Sequence, residues 1–193
     1  MSLVFACIAP HGDMELDAGI RSAMEELGRR FDAAAPDVAV VVTPHNVHVE
    51  GHFAVITAGR VGEWETERAA AQTLLAADLP ILGVSYGGND PATAEMPIDW
   101  GTEIPLTFMR APKVVVVSSA RDRPLDEHLR LGEAIAALPG RVALVEAGKA
   151  DSLWQLLVLQ GAVGEASRAD VLAYAAPTYY GMLVADVPLQ TAA

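Results

Sequence analysis

The chain has 193 residues, of which 52% are hydrophobic and 20% are charged. This length suits one domain with a substantial core, and no apolar run approaches the roughly 18 residues of a membrane-spanning helix. The net charge of −12 argues against general nucleic-acid binding, because that binding relies on basic side chains that neutralise phosphates.

Cysteine use and the start of the chain predict a cytoplasmic protein. The one cysteine, Cys7, excludes an internal disulfide framework and suits a reducing compartment, where it would fill space on a strand. No basic region precedes the first apolar run, so we expect no secretory signal.

Apolar segments typical of strands alternate with helical patterns along the whole sequence. The predicted strands are 3–9, 38–42, 53–57, 80–86, 113–118, 141–145 and 179–184. The predicted helices are 16–31, 66–77, 103–110, 125–138, 150–159 and 165–174, with an irregular stretch at 91–101. This alternation predicts an α/β fold: a single domain over 1–193 with a central, mostly parallel or mixed sheet flanked by helices.

Two of these strands are each followed by a proline and a histidine. His11 follows the strand at 3–9, and His45 follows the strand at 38–42. In α/β proteins, ligands bind beyond the carboxyl ends of the strands, so both imidazoles are expected at one crevice. Neutral imidazoles bind iron, zinc and similar metals, and the acidic chain can supply a carboxylate. We therefore predict His11 and His45 as metal ligands; for each histidine taken singly, a loop or solvent position is the competing interpretation.

Two further histidines, His48 and His52, follow closely and would share one face of an extended chain. Histidine titrates near neutral pH, so either is a candidate proton carrier in catalysis. The alternative is that both are ordinary polar positions on a strand or hairpin.

The segment at 99–106 has features of a helix start. Gly101 permits unusual backbone geometry, Thr102 is a candidate cap, and Trp100 is a candidate pocket wall. Free amides at this start could hold an anionic substrate oxygen, which makes all three candidate substrate-binding residues. The competing interpretation is a capped junction between loop and helix.

Four segments in this order resemble the class III extradiol ring-cleavage dioxygenases of the LigB-like superfamily. They are Pro10-His11-Gly12, Thr43-Pro44-His45, Asp99-Trp100-Gly101-Thr102 with Pro105-Leu106, and 141–148 with 154–163. The resemblance runs through most of the chain. It implies a LigB-like α/β fold that holds Fe(II) through two histidines and a glutamate and cleaves catechol-type rings with O₂. Zinc is the alternative metal.

By position in these motifs, His11 and His45 match the two histidine ligands. The resemblance leaves the third ligand open between Glu146, at a strand end, and Asp151; Glu146 is preferred for its longer side chain. Family habit also implies a possible homodimer.

The chain departs from the family pattern at two places. Trp100 stands where the family has the histidine of Asp-His-Gly, and Ser152 stands where ring-cleaving members have an acid-base histidine. His48 or His52 could replace the missing base.

These departures keep three functions open. The first is an Fe(II) dioxygenase acting on a small aromatic substrate and O₂, and the second is a noncatalytic LigB-like or MEMO-like binding domain. The third is a zinc hydrolase with a metal-bound water as nucleophile. A nucleotide site at Gly87-Gly88-Asn89-Asp90 is disfavoured, because its glycine spacing is not that of a dinucleotide loop.

Overall fold

The computed structural model describes residues 3–86, 90–148 and 152–189. The predicted α/β fold is confirmed: helices flank a large mixed sheet of eight strands. Its strands are β1 (Leu3–Ile8), β2 (Val38–Thr43), β3 (Phe53–Ile56), β6 (Ile81–Val84), β8 (Val114–Ser118), β9 (Val142–Glu146), β10 (Asp170–Ala175) and β11 (Met182–Asp186). No helix in these ranges is long and apolar enough to cross a membrane.

The strand order across the sheet is β10-β11-β1-β9-β2-β8-β3-β6. The four central strands β1, β9, β2 and β8 are parallel, whereas β3 and β11 run antiparallel to their central neighbours. The central strands are buried along nearly their whole length, as their continuous apolar sequences predict. Their carboxyl ends therefore lie together at one edge of the sheet.

In the described ranges, five α-helices cover the two faces of the sheet: α1 (Ala18–Ala34), α2 (Arg68–Leu75), α3 (Trp100–Leu106), α4 (Leu125–Ala136) and α5 (Leu153–Val163). One apolar cluster joins one face of the sheet to α1 and α3, and a second joins the other face to α2, α4 and α5. The result is a three-layer arrangement in which both faces of the sheet are buried.

The predicted helix at 165–174 is wrong. The chain there forms strand β10, which lies at the edge of the sheet and pairs antiparallel with β11. Arg30 on α1 contacts Asp170 and Asp186 at 3.1 Å each, which joins the helix to both strands of this hairpin. Strand pairing and this packing override the weak helical preference of the alanine-containing sequence.

Smaller differences occur at element ends. A three-stranded sheet of β4 (Arg60–Val61), β5 (Trp64–Glu65) and β7 (Glu95–Met96) was not predicted, because two-residue strands leave no periodic signal. The predicted helix at 103–110 begins earlier, at Trp100, and ends at Leu106. The first helix begins at Ala18 because the Asp17 side chain accepts a hydrogen bond from the Ile20 amide.

His128 on α4 is fully buried. Its Nδ1 lies 3.0 Å from the Pro124 carbonyl oxygen, and its ring packs edge-on against Phe53. Nε2 has no hydrogen-bond partner among the described residues. Burial lowers the pKa of His128 below its ordinary value of 6.5, against the opposing charges of Glu127 and Asp126.

This burial predicts a loss of stability in mild acid. His128 is harder to protonate in the folded protein than in the unfolded chain. Its contribution to the free energy of unfolding is therefore fully present above pH 6.5. It falls as the pH drops through 6.5 towards the lowered pKa, by at most about 1.4 kcal/mol per pH unit. His128→Asn removes the titrating group while retaining an amide that can donate to Pro124. We expect its free energy of unfolding to change less than that of wild type between pH 7.5 and 5.5, as measured by urea denaturation.

The control for this measurement is His48→Asn, because His48 is exposed. Its pH dependence should match that of wild type. Identical slopes for wild type and His128→Asn would contradict the assignment of this acid sensitivity to His128.

Candidate functional site

The structure brings His11 and His45 together at the carboxyl edge of the sheet. Their Nε2 atoms are 2.7 Å apart, and their rings meet edge to face with centroids 4.5 Å apart. The two histidines follow β1 and β2, which both flank β9. His11 is 1% exposed and His45 is partly buried, so the two nitrogens meet in a largely enclosed place.

A hydrogen bond on the far side of the ring from His45 fixes the orientation of His11. Its Nδ1 lies 3.2 Å from the carbonyl oxygen of Ala147, one residue past the end of β9. A carbonyl can only accept a hydrogen bond, so Nδ1 carries a proton, and in the neutral ring Nε2 accepts the hydrogen bond that His45 Nε2 donates at 2.7 Å. Histidines that bind metals usually have this kind of hydrogen bond on the far side of the ring.

Asp99 joins the loop after β2 to α3. Its carboxylate accepts hydrogen bonds from Thr43 Oγ1 at 2.8 Å, Asn46 Nδ2 at 3.0 Å and Thr102 Oγ1 at 2.6 Å. It also accepts a hydrogen bond from the Thr102 backbone amide at 3.0 Å, and Asp99 is therefore the N-cap of α3. This network holds α3 beside His45, and the Trp100 and His45 ring centroids are 4.6 Å apart.

The predicted roles of Thr102 and Gly101 change with this geometry. Asp99, not Thr102, is the N-cap of α3. Its carboxylate accepts a hydrogen bond from the Thr102 amide, one of the amides that were expected to hold a substrate oxygen. Thr102 is fully buried. Glycine is required at position 101 because neighbouring side chains lie too close for a Cβ atom. A Cβ there would lie 2.7 Å from Thr43 Oγ1 and 3.1 Å from His45 Cδ2. Neither residue belongs to the described lining of the pocket, and a substrate-binding role for Gly101 or Thr102 stays a prediction.

A pocket of about 340 Å³ opens over the histidine pair. This volume lies at the lower end of the range for small-molecule sites, which is about 300–1,000 Å³. The pocket combines aromatic walls with a few polar groups; its described lining is His11, Pro44, His45, Trp100, Arg121, Ser152, Trp154, Gln155 and Tyr180. Trp100, predicted as a pocket wall, lies where expected.

Four lining residues were not singled out from the sequence as site residues: Arg121, Trp154, Gln155 and Tyr180. Arg121 follows the end of β8, so the strand-end argument that selected the histidines also applies to it. Trp154 and Gln155 lie in the first turn of α5. Tyr180 precedes β11 in a segment that was expected to be strand.

Glu146 is a buried carboxyl at the end of β9. It pairs in register with Ile8 and Val42, which belong to the apolar cluster on the α4 and α5 side of the sheet. A Cβ on Gly148 would overlap its Oε1, and that oxygen has no hydrogen-bond partner among the described residues. Burial raises the pKa of Glu146 well above its ordinary value, because the charged form would lose its hydration.

Within the described ranges, no group of three or more His, Cys, Asp or Glu side chains is arranged to hold a metal ion. The arrangement thus joins His11 to His45 but does not add Glu146 to them, and Glu146 as third ligand stays a prediction. The alternative ligand, Asp151, lies outside the described residues, as do Gly87, Gly88 and Asn89 of the disfavoured nucleotide loop.

His48 and His52 each contact a backbone carbonyl near them in the chain. His48 is exposed, with Nε2 2.8 Å from the Pro44 carbonyl, and His52 Nδ1 lies 2.9 Å from the Glu50 carbonyl. Neither belongs to the described lining of the pocket. A proton-carrying role for either histidine stays a prediction.

Comparison with known proteins supports the fold alone. No protein-family model matches the chain, and no curated protein matches it. Among solved structures, the chain is similar to an uncharacterized protein, JW3007, from Escherichia coli K12. The TM-score is 0.67 at 17% sequence identity, over 96% of this chain and 100% of that one.

The histidine pair predicts a metal-binding phenotype. His11→Ala and His45→Ala should each weaken Zn²⁺ binding by about 100-fold or more, since even outer-shell partners of a metal contribute about 10–100-fold. The measurement is calorimetric titration with Zn²⁺, together with elemental analysis of the purified proteins.

His48→Ala is the matched control, because it removes an exposed imidazole just three residues beyond His45. It should bind Zn²⁺ like wild type. Unchanged affinity in His11→Ala and His45→Ala would show that these imidazoles do not form the metal site.

Proposed function

We propose that this protein binds a divalent transition metal through His11 and His45 and cleaves a small catechol-type aromatic ring with O₂. The observation that carries the proposal is the 2.7 Å approach of the two Nε2 atoms beneath an aromatic-walled pocket. The ordered resemblance of the sequence motifs to the extradiol dioxygenases supplies the reaction class.

The donor set is compatible with a metal. Two imidazole nitrogens bound to one ion at about 2.0–2.1 Å lie about 2.9 Å apart at a right angle and about 3.3 Å apart at a tetrahedral angle. The observed 2.7 Å separation is a hydrogen-bond distance, and an opening of a few tenths of an ångström would admit an ion between the two nitrogens. A metal ion would replace the direct contact between the two Nε2 atoms, and the hydrogen bond from His11 Nδ1 to Ala147 would keep the His11 ring in place.

Fe(II), when bound, would supply the redox chemistry through which O₂ reacts with an aromatic diol. The chain's own residues prepare the site. Ala147 orients His11, and the Asp99 network holds Trp100 beside His45. Trp100 and Trp154 offer flat apolar surfaces on which an aromatic ring can stack.

Gln155 supplies a polar group suited to a hydroxylated ring. It is 1% exposed and lines the pocket, and its Nε2 donates to Ser119 Oγ at 3.0 Å. Its Oε1 has no hydrogen-bond partner among the described residues. A buried acceptor of this kind gains a hydrogen bond when a ligand hydroxyl reaches it.

A noncatalytic metal- or ligand-binding domain is the second candidate. It is favoured by the finding that no third His, Cys, Asp or Glu completes a metal group with the histidine pair in the described ranges. This candidate uses the same pocket and the same two histidines. It predicts ligand binding without a ring-opened product.

Oxygen consumption separates these candidates. The protein is loaded with Fe(II) without oxygen, mixed with a panel of catechols, and then exposed to O₂ in an oxygen electrode. We expect uptake in proportion to ring-opened product, because both oxygen atoms enter the product when the carbon–carbon bond beside the diol breaks. His45→Ala should give only the background uptake of free iron.

Iron retained by the wild-type protein without oxygen uptake on any catechol would contradict ring cleavage and favour the noncatalytic candidate. Zinc retained through purification, with turnover of an ester or amide, would favour the zinc hydrolase instead.

A further inference from the structure

Strand β10 forms one edge of the eight-stranded sheet, and β6 forms the other. An edge strand leaves backbone N–H and C=O groups unpaired, so proteins usually protect it with proline, lysine or a short length. β10 has six residues without proline, lysine or arginine, whereas β6 has four residues and directly follows Pro80. Of these two edges, β10 is therefore the one that is better suited to pair with another strand.

Two exposed apolar side chains of β10 lie on the same side of the sheet. Val171 pairs with Ala185, and Tyr174 pairs with Leu183. Both partners pack in the apolar cluster on the α5 side of the sheet. Directly paired residues share a face, and the irregular register between Val171 and Ala173 lets residues three apart do so. Val171 is 57% exposed and Tyr174 is 62% exposed, so this side of β10 is open to solvent.

The helices pack elsewhere. α1 contacts β10 and β11 on the opposite side, with Ala173 and Ala175, whereas α5 packs against β1, β2 and β9. The Tyr174 ring lies beside Gly181, where a Cβ would come within 2.5 Å of the tyrosine hydroxyl oxygen. Glycine at this position lets the ring lie close to the backbone. A ring held in this way loses little conformational entropy when a partner binds.

The connection between β10 and β11 extends this apolar surface. Tyr179 is 93% exposed, and its ring meets the Tyr180 ring edge to face with centroids 5.2 Å apart. Tyrosine is enriched in protein interfaces, because it combines a large apolar ring with a polar hydroxyl group. Val171, Tyr174 and Tyr179 together expose roughly 400 Å² of side-chain surface, about half of the roughly 800 Å² that each partner buries in a standard interface.

The charges at this edge suit a second copy of the chain. Each copy has a net charge of −12, so two copies associate only where the local charge is low. Asp170 of β10 and Asp186 of β11 both contact Arg30 at 3.1 Å, which reduces the negative charge at the edge. Because Asp170 is the first residue of β10, antiparallel pairing of two copies places the two Asp170 side chains at opposite ends of the contact.

We propose that β10 pairs antiparallel with β10 of a second copy of this chain, which joins two eight-stranded sheets across a two-fold axis. The unpaired backbone groups of one edge then bond to the same groups of the other. Val171 and Tyr174 of both copies meet on the α5 side, where a β-branched and an aromatic side chain form a favourable cross-strand pair. This interface goes beyond the proposed function and does not depend on a metal or a substrate.

Sedimentation equilibrium over a range of concentrations tests the interface. The chain has a mass of 20.3 kDa, and we expect wild type to approach twice that mass. The expected dissociation constant is about micromolar or tighter, as for other interfaces of standard size. Val171→Lys places a charge on each copy near the axis and removes an apolar contact twice, so it should weaken the dimer by about 100-fold.

Leu82→Lys is the matched control, because Leu82 is an exposed aliphatic residue on the other edge strand, β6. It introduces the same charge and should dimerise like wild type. Since both replaced side chains are exposed, the urea midpoints of both monomers should match that of the wild-type monomer.

Hydrogen exchange of the wild-type protein locates the interface without any variant. Above the dissociation constant, amides in 170–175 should exchange more slowly than below it, because outward N–H groups gain partners. Amides in 81–84 should exchange at the same rate at both concentrations.

Three outcomes would each overturn the proposal. They are a single-chain mass at every concentration, a dimer that Val171→Lys leaves intact, and concentration-dependent protection confined to segments other than β10. None of these outcomes affects the proposed metal site, since that site is tested by zinc binding and oxygen uptake.

Discussion

The approach of His11 Nε2 to His45 Nε2 depends on the parallel pairing of three strands. β9 lies between β1 and β2, and its Glu146 pairs in register with Ile8 on one side and Val42 on the other. This register brings the three strands to their ends at one level. A shift of one residue would reverse the faces of β9 and move the Ala147 carbonyl that orients His11.

The buried apolar sequences of the central strands maintain this register, because any slip would disrupt both clusters on the two sheet faces. The polar site therefore needs few internal contacts of its own. One carboxylate, Asp99, holds the loop after β2 against α3, and one backbone carbonyl orients His11. Rigid strand ends of this kind position side chains more precisely than free loops do.

The layers and the histidine pair could be predicted because they produce clear patterns. Long apolar strands, helices with one apolar face and histidines just past strand ends are each readable from the chain alone. The helical prediction at 165–174 failed because an edge strand such as β10 is specified by its pairing with β11 and by the contact of Arg30 on α1 with both strands, which the periodicity of residues 165–174 does not show. Asp99 was missed as the cap because Thr102, three residues on, is an equally good capping type.

The pocket wall could not be assembled from the sequence, since Arg121, Trp154 and Tyr180 come from three separate connections. Only the tertiary fold shows that they surround the histidines. Glu146 illustrates the same limit: its strand-end position was predicted, but the direction of its side chain follows from the register with Ile8 and Val42.

The central claim is that His11 and His45 hold one metal ion between them. A crystal structure of the protein grown with Zn²⁺, recorded at the zinc absorption edge, tests this most directly. The account predicts one anomalous peak at about 2.0–2.1 Å from both Nε2 atoms. A direct hydrogen bond between the two imidazoles at saturating zinc, with no peak between them, would contradict it.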